Sequence, residues 1–491
     1  MSAYTELVAY QRETEALGQV MGRLGWDQET VMPRGAGEQR AEEMAALEGV
    51  LHARRVDPRM GDWLDKIEDA DLDPVGQATM RIVRKDYARN TKVPGELASE
   101  IARTVSKAQG VWAEARANED VSAFLPVLKT VIDLRQQEGA AISDGGDTYD
   151  ALLQDYEPGG SATELSSMFD AMRPRLVALR DEIWQRPEPK GVTGSFDVDA
   201  QMALSDKLSN AFGYDREMGR IDKAVHPFSS GSGQDVRITT RTSDDDPFNC
   251  IYSTIHEVGH ATYEQSINND YLLTPLGAGV SMGVHESQSR IYENQLGRSR
   301  AFTGWLFGEM KDSFGDFGIS TEDDFYAAVN RVGKGYIRTE SDEVQYNLHI
   351  LLRFDLERAL MSGDLQVNDL EAAWNDRFKS DFGYAVDKPS NGCLQDVHWS
   401  VGLFGYFPTY SLGNVYAGCL YEALRDAVPQ LDDQLAQGNT QPALAWLRDS
   451  LQTHGGLRAP KDTIAHACGF EPSAEPLLKY TEKKFSNIYG L

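Results

Sequence analysis

The pentapeptide His256-Glu257-Val258-Gly259-His260 is the most informative stretch of the chain. On a helix, which advances about 100° per residue, His256 and His260 lie one turn apart on the same face, so their imidazoles can bind one metal ion. Glu257 lies beside them, where it can take a proton from a water molecule held by that ion. The preceding Asp246-Pro247 marks the start of this helix, because Asp is a favoured N-cap and Pro is favoured at the first helical position.

The other face of this predicted helix is apolar, with Ile251, Ile255 and Val258 at helical spacing. Gly259 interrupts the helix interior, where a glycine costs about 1 kcal/mol relative to alanine. A glycine at such a position suggests a packing reason. We therefore expect another part of the chain to pack closely against Gly259.

A catalytic zinc ion usually has three protein ligands and one open position. Glu286, within His285-Glu286-Ser287-Gln288, follows His260 by 26 residues (286 − 260). It begins a predicted helix that extends to about residue 306. Glu293 lies on the same predicted helix and is the alternative third ligand.

Residues 224–242, just before the metal motif, have a different character from the rest of the chain. Ser229 to Gly233 is rich in turn residues, and Asp235 to Thr242 is dense in β-branched residues that alternate along the chain. This pattern predicts a short hairpin or small sheet. It can serve as scaffolding alone, whereas in zinc peptidases an edge strand beside the metal helix commonly pairs with the substrate backbone.

Most of the remaining sequence is predicted to be helical. Four long stretches carry apolar residues at three- and four-residue spacing, namely 4–24, 36–55, 95–117 and 120–138. Clusters of Pro and Gly separate the helices, and there is neither an internal repeat nor a low-complexity linker. A mainly α protein with a single catalytic domain, residues 1–491, is therefore predicted.

Composition excludes several classes of function. The formal net charge of −28 argues against nucleic-acid binding, which requires clustered Lys and Arg. No apolar stretch approaches the roughly 20 residues that span a bilayer, and the amino terminus lacks the basic start and apolar run of a secretory signal. The four cysteines are far apart, without the close pairs of zinc ribbons. We expect a cytoplasmic protein without a membrane or nucleic-acid partner.

Beyond the pentapeptide, an HExxH motif, the chain resembles the carboxypeptidase Taq family of metallocarboxypeptidases in five further segments. In chain order these are Trp26-Asp27-Gln28-Glu29-Thr30-Val31-Met32-Pro33, Asp235-Val236-Arg237-Ile238-Thr239 (the family's DxRxT), His285-Glu286-Ser287-Gln288 (HESQ), Ile337-Arg338-Thr339-Glu340-Ser341-Asp342 (IRxxAD) and Gly392-Cys393-Leu394-Gln395-Asp396-Val397-His398-Trp399 (GxxQDxHW). Ser341 replaces the family's Ala, which is a small change. The matches follow one another in order over nearly the whole chain.

The resemblance implies a large helical zincin-like fold, with a deep central groove between two halves and a small β-sheet next to the metal helix. It also implies a homodimer in which each chain binds one divalent metal, Zn²⁺ in the first place and Co²⁺ as the alternative, through His256, His260 and Glu286. Glu257 is then the general base. Family members remove single amino acids from peptides with a free C-terminus; they tolerate many side chains there but generally refuse proline.

A carboxypeptidase has to recognise a free carboxylate, which a guanidinium can bind through two parallel hydrogen bonds. Arg338, in the segment similar to IRxxAD, is the first candidate for this role. Arg237, in the segment similar to DxRxT, is the second, and it could instead line the far end of the groove and limit substrate length. For either arginine, a structural ion pair is the alternative.

Peptide hydrolysis passes through a tetrahedral intermediate whose oxyanion needs hydrogen-bond donors. Related helical zinc peptidases, the thimet oligopeptidase and angiotensin-converting enzyme groups, use a His and a following Tyr. By that comparison His398 and Tyr410 are expected in this role, with Tyr406 as the alternative tyrosine and core packing as the alternative role. Asp342 and Asp396 are expected to orient metal ligands or His398 by accepting hydrogen bonds, and His285 to support the metal site or the structure.

Three other functions compete with the carboxypeptidase hypothesis. An oligopeptidase that cuts internal bonds would use the same scaffold but needs no carboxylate clamp. A binding protein could retain zinc for structure alone, although Glu257 would then be dispensable because it is not itself a ligand. An aminopeptidase is disfavoured, because a GxMEN-type segment is absent.

Overall fold

The computed structural model describes residues 2–491 of the chain. Helices account for 68% of the residues and strands for 3%, so the predicted mainly α fold with one small sheet is confirmed. All four stretches that periodicity predicts as long helices are helical. Among the described residues, no helix is both long and apolar enough to cross a membrane.

The elements are numbered in chain order. The α-helices are α1 (Ala3–Thr30), α2 (Gly37–Arg55), α3 (Pro58–Leu64), α4 (Pro74–Lys92), α5 (Gly95–Asn118), α6 (Val121–Ile142), α7 (Thr148–Leu153), α8 (Ala162–Ile183), α9 (Val198–Ala211), α10 (Pro247–Ser266), α11 (Met282–Arg290), α12 (Arg300–Phe314), α13 (Glu322–Val329), α14 (Tyr346–Ser362), α15 (Leu370–Phe382), α16 (Pro408–Ala427), α17 (Leu431–Leu435), α18 (Gln441–Ser450), α19 (Pro460–Cys468) and α20 (Glu475–Tyr489). A π-helical segment covers Ile291–Gly297. The strands are β1 (Ile221–Lys223), β2 (Ser229–Ser232) and β3 (Asp235–Thr240).

The sheet lies beside the helix that carries the metal motif. β3 is its middle strand, parallel to β1 and antiparallel to β2. Val236 and Ile238 on β3 are fully buried, and the strand packs against α10. The predicted hairpin is thus present as β2 and β3. The third strand, β1, is not predicted from the sequence. It is parallel to β3, and parallel strands are joined by a longer connection than a hairpin turn.

α10 begins as the sequence predicts. The Asp246 side chain accepts a hydrogen bond from the backbone N–H of Phe248 (3.0 Å), and Pro247 occupies the first turn. The apolar stripe on one face of this helix is fully buried. Capping at one end and burial along one side therefore fix where His256 and His260 project.

Two glycines let two helices, α10 and α16, pack closely against α11. A Cβ atom at Gly259 of α10 would lie 2.6 Å from the carbonyl oxygen of Gln288, closer than side chains pack. A Cβ atom at Gly413 of α16 would lie 2.5 Å from Cβ of Glu286. The close packing predicted at Gly259 is confirmed, and α11 lies between backbones that approach it from both sides.

The helix predicted to extend from Glu286 to about residue 306 is interrupted. α11 ends at Arg290, the π-helical segment follows, and α12 starts only after Ser299. The Ser299 hydroxyl caps α12 by accepting a hydrogen bond from the backbone N–H of Phe302 (3.1 Å). Serine is a favoured N-cap, so a new helix begins where the sequence pattern indicates a continuous one.

Candidate active site

Two helices bring three potential metal ligands together. His256 and His260 project from α10 and Glu286 from α11, and one donor atom of each lies within 4.8 Å of the other two. Oε2 of Glu286 is 3.7 Å from Nε2 of His256 and 3.4 Å from Nε2 of His260. No other three His, Cys, Asp or Glu side chains in residues 2–491 have this arrangement. We call these three residues the metal cluster.

Both imidazoles are held from behind through Nδ1. Nδ1 of His256 lies 2.9 Å from Oε2 of Glu293. Nδ1 of His260 lies 2.6 Å from Nδ1 of His285, and Nε2 of His285 lies 2.9 Å from Oε1 of Glu264. When each Nδ1 donates in these contacts, Nε2 keeps a free lone pair, which is the form of imidazole that binds a metal.

Glu286 is held on its far side by Arg290, whose Nε donates to Oε1 (2.6 Å). Burial raises the pKa of a carboxyl group, but Arg290 and the two imidazoles outweigh it and hold the pKa of Glu286 well below its usual range. Glu286 is therefore ionised. Glu293, the alternative ligand, instead contacts His256 (2.9 Å) and Arg298 (3.1 Å) and lies behind the metal cluster.

The donor set of the metal cluster suits a divalent transition metal. Two imidazole nitrogens and one carboxylate oxygen are ligands that zinc takes in catalytic sites, where a fourth position stays open. Burial lowers the pKa of His260 to about 3, so its imidazole is neutral, as metal binding requires. The residues present fit one divalent ion, and cobalt can use the same donors.

Glu257 follows His256 on α10, and only 6% of its surface is exposed. Burial raises the pKa of its carboxyl group to about 7. A carboxyl group whose pKa lies near neutrality can both accept and return a proton at physiological pH. The carboxyl group of Glu257 can therefore exchange a proton near neutral pH.

Arg338 lies in a buried turn before α14, with 6% of its surface exposed. Its Nε donates to Oδ1 of Asp396 (3.1 Å), and one terminal nitrogen donates to the hydroxyl of Tyr346 (3.3 Å). The guanidinium also lies 4.9 Å from the ring centroid of Tyr410. The ion pair with Asp396 thus places the guanidinium beside the predicted oxyanion tyrosine.

A second arginine shares the carboxylate of Asp396. Arg353 of α14 is fully buried, and its Nε donates to Oδ2 of Asp396 (2.7 Å). Two guanidinium groups and one carboxylate leave one positive charge in excess. We call Arg338, Arg353 and Asp396 the arginine cluster.

His398 and Tyr410, the two residues predicted to stabilise the oxyanion, lie next to the arginine cluster. Nε2 of His398 lies 3.3 Å from the hydroxyl of Tyr410, and the ring of Tyr406 packs edge-on against that of Tyr410 at 5.3 Å. Nδ1 of His398 lies 3.8 Å from Oδ1 of Asp396, too far for a direct hydrogen bond. Burial lowers the pKa of His398 to about 4, so this imidazole is neutral.

Arg237 lies apart from these groups, on β3. Its Nε pairs with Asp235 (2.7 Å), and its guanidinium lies 4.4 Å from the ring centroid of Trp26 on α1. Asp235 also pairs with Arg23 of α1 (2.7 Å). Within residues 2–491, Arg237 makes no hydrogen bond or ion pair with either cluster. Its contacts join α1 to the sheet.

Three residues at the site do not follow from the sequence motifs. Arg290 is the one with a local signal, because it follows Glu286 by four residues, the spacing of ion pairs on a helix. Arg353 and Tyr346 lie outside the matched segments and meet Arg338 and Asp396 only through the fold. Burial of a guanidinium cannot be seen in a sequence pattern.

The chain is similar to one known family over almost its whole length. Residues 6–485 match the family described as carboxypeptidase Taq (M32) metallopeptidase. The chain is 41% identical to thermostable carboxypeptidase 1 of Thermus thermophilus, covering 100% of this chain and 99% of that protein. It is 34% identical to carboxypeptidase 1 of Bacillus subtilis, covering 95% and 94%.

Two solved structures of carboxypeptidases superpose closely on this chain. The crystal structure of the M32 carboxypeptidase from Deinococcus radiodurans R1 superposes with a TM-score of 0.96 at 37% identity, over 100% of both chains. Metallocarboxypeptidase 1 of Trypanosoma cruzi gives a TM-score of 0.96 at 32% identity, over 98% of this chain and 99% of that one. The chain therefore belongs to the carboxypeptidase Taq (M32) metallopeptidase family, and it is a metallocarboxypeptidase, a peptide hydrolase that uses a divalent metal.

Proposed function

We propose that this enzyme removes single amino acids from peptides with a free C-terminus, and that Arg338 binds the terminal carboxylate. The excess positive charge of the arginine cluster carries this proposal. A buried charge without a partner is costly, so the cluster is complementary to one additional anion. The terminal carboxylate of a peptide is such an anion, and an endopeptidase has no use for this arrangement.

Glu257 moves the proton in the proposed reaction, and His256, His260 and Glu286 hold the metal. A bound divalent ion supplies a Lewis acid that lowers the pKa of a water molecule and polarises the scissile carbonyl group. Glu257 takes the proton of the attacking water and returns it to the amine of the leaving amino acid. Its place next to His256 on α10 supports both steps.

Tyr410 and His398 stabilise the charge that develops on the carbonyl oxygen. When Nε2–H of His398 donates to the hydroxyl of Tyr410 (3.3 Å), the hydroxyl proton is free to donate to the carbonyl oxygen, and a preorganised donor is worth most in a buried site. Tyr406, packed against Tyr410, contacts the substrate beside them and is the alternative donor.

Arg237 keeps its proposed role at the far end of the groove between the two halves, where it limits substrate length. Its side chain remains 24% exposed although it pairs with Asp235, so a substrate can still reach it. An arginine so placed can bind a terminal carboxylate that lies too far along the groove.

Other parts of the proposal rest on the resemblance to family segments. They are zinc as the metal, a homodimer, broad tolerance of the C-terminal side chain and refusal of C-terminal proline. A single catalytic domain over residues 1–491 and a cytoplasmic location are instead proposed from the helical pattern and the composition of the sequence.

Matched peptides with free and amidated C-termini test the function. We expect kcat/KM for the free acid to exceed that for the amide about 100-fold, because losing one member of a buried charge pair costs about 2–5 kcal/mol. Arg338→Gln should remove most of this preference. Amidated peptides that are cut efficiently at internal bonds would support the oligopeptidase alternative instead.

A further inference from the structure

Tyr346, the first residue of α14, lies between the metal cluster and the arginine cluster. The guanidinium of Arg290 lies 4.2 Å from its ring centroid, and Arg290 in turn donates to Glu286 (2.6 Å). At the other end of the ring, the hydroxyl accepts a hydrogen bond from Arg338 (3.3 Å). One buried ring therefore connects the residue that holds Glu286 with the residue proposed to bind the carboxylate.

The hydroxyl group of Tyr346 is free to donate a hydrogen bond. A tyrosine hydroxyl can accept and donate at the same time, and this one accepts from Nη1 of Arg338 while its own proton has no acceptor within residues 2–491. Arg338 also keeps Nη2 uncommitted, because its Nε donates to Asp396 and its Nη1 to Tyr346. The two free donors therefore belong to hydrogen-bonded neighbours, and a carboxylate has two oxygens to receive them.

We propose that Tyr346 is a substrate-binding residue whose hydroxyl donates to one oxygen of the terminal carboxylate while Nη2 of Arg338 donates to the other. This inference rests on the proposed function. The stack on Arg290 holds the hydroxyl at a set separation from Glu286 and thus from the metal cluster. A set separation between the carboxylate and the scissile carbonyl favours the removal of one residue over the removal of two.

Tyr346→Phe tests the hydroxyl while the ring remains. We expect kcat/KM for a free-acid peptide to fall about tenfold, as the loss of a hydrogen bond to a charged group predicts. The fall should occur mainly through KM, because the donor acts equally on bound substrate and transition state. The amidated peptide should be cleaved as before, so the acid-to-amide ratio falls by the same factor.

Tyr346→Leu tests the ring as well. Without the stack between Arg290 and Arg338, the carboxylate site is no longer held at one separation from the metal. We expect dipeptides to appear among the products in addition to free amino acids. Product analysis by mass spectrometry measures this change, and metal content measured in parallel should equal that of the parent enzyme.

Tyr214→Phe is the matched control. This tyrosine is also buried and its hydroxyl donates to the carbonyl oxygen of Val236 (2.6 Å), so the variant loses a buried hydroxyl away from both clusters. Its acid-to-amide ratio should stay at the parent value. A Tyr346→Phe variant that slows acid and amide peptides equally, or slows neither, overturns the role of Tyr346.

Arg338→Gln separates this inference from the function on which it rests. If Arg338→Gln leaves the acid-to-amide ratio unchanged, the carboxypeptidase role of the arginine cluster is wrong. If Arg338→Gln abolishes the ratio and Tyr346→Phe does not change it, only the role of Tyr346 is wrong. A reduced ratio in both variants supports both.

Discussion

The metal cluster and the arginine cluster are both buried, yet they offer opposite chemistry. The metal cluster directs two imidazole nitrogens and one carboxylate oxygen, all lone-pair donors, toward one point. The arginine cluster offers N–H donors and an excess positive charge. One is therefore complementary to a cation and the other to an anion. In the proposed function, a peptide substrate with a free C-terminus links the two, with its carbonyl at the first and its carboxylate at the second.

The two clusters also differ in how they are assembled. His256 and His260 are four residues apart on one helix, and Glu286 comes from the helix packed against it. Arg338, Arg353 and Asp396 come from a turn, a helix and a loop that meet only in the folded chain. Local spacing is sufficient to indicate a metal site, whereas a buried anion site made of distant residues has no local pattern.

Glu257→Gln should have the largest effect and should leave both clusters intact. The amide cannot take a proton, so we expect kcat to fall about 10³-fold, within the range of general-base catalysis. Metal content and the KM for free-acid peptides should stay near the parent values. Steady-state kinetics with metal analysis measure this, and activity within tenfold of the parent would mean that another residue is the base.

Glu286→Ala and Glu293→Gln sharpen the distinction between a ligand and a residue that orients a ligand. Glu293→Gln weakens the support behind His256, and such changes typically cost about 10- to 100-fold in metal affinity. Glu286→Ala should cost more, because it removes a donor atom. Titration with a competing chelator measures both affinities. Full metal retention in Glu286→Ala together with metal loss in Glu293→Gln would reverse the two assignments.

The smallest expected effect concerns a buried carboxyl group that supports the loop before Tyr406. Glu357 of α14 accepts hydrogen bonds from Nε1 of Trp399 (3.1 Å) and from the backbone N–H of Gly405 (3.1 Å), and so anchors the loop before Tyr406. Burial raises the pKa of Glu357 to about 7. The folded protein therefore holds this proton more tightly than the unfolded chain does. Its contribution to stability is complete below the ordinary value of 4.5 and is lost as the pH rises to about 7.

The midpoint of thermal unfolding should accordingly fall by a few degrees as the pH rises from about 5 to about 8. Glu357→Gln has no proton to lose, so its midpoint should depend less on pH, although the variant is less stable because its amide NH₂ faces another donor. Differential scanning calorimetry of both proteins measures the two slopes. Parallel slopes would show that Glu357 does not titrate in this range.

The sequence predicts the metal cluster better than it predicts what surrounds it. HExxH spacing, the Asp246-Pro247 start and Gly259 are local signals, and the structure agrees with each. Glu286 and Glu293 are seven residues apart, about two turns of an α-helix, so the sequence pattern cannot separate them. The π-helical segment begins between them, and no residue pattern in the sequence predicts it.

Burial limits the prediction of the arginine cluster. Arg338 can be found because it lies in a family-like segment, but Arg353 lies in a helix whose pattern does not show that a guanidinium is fully buried there. The contact of Tyr346 with Arg338 cannot be predicted for the same reason. The roles of such residues can be assigned only when hydrogen bonds between distant parts of the chain are known.

The π-helical segment Ile291–Gly297 also has a consequence for chain length. A π turn contains about one residue more than an α turn, so the segment is equivalent to a one-residue insertion in a continuous helix. Deleting one residue after Glu286 and before Glu293 would remove this insertion, so residues beyond Gly297 would keep their orientation while side chains inside the segment turn by up to about 100°. Glu293 would then turn away from His256, and a scan of single-residue deletions should find this segment far less tolerant than the exposed loops.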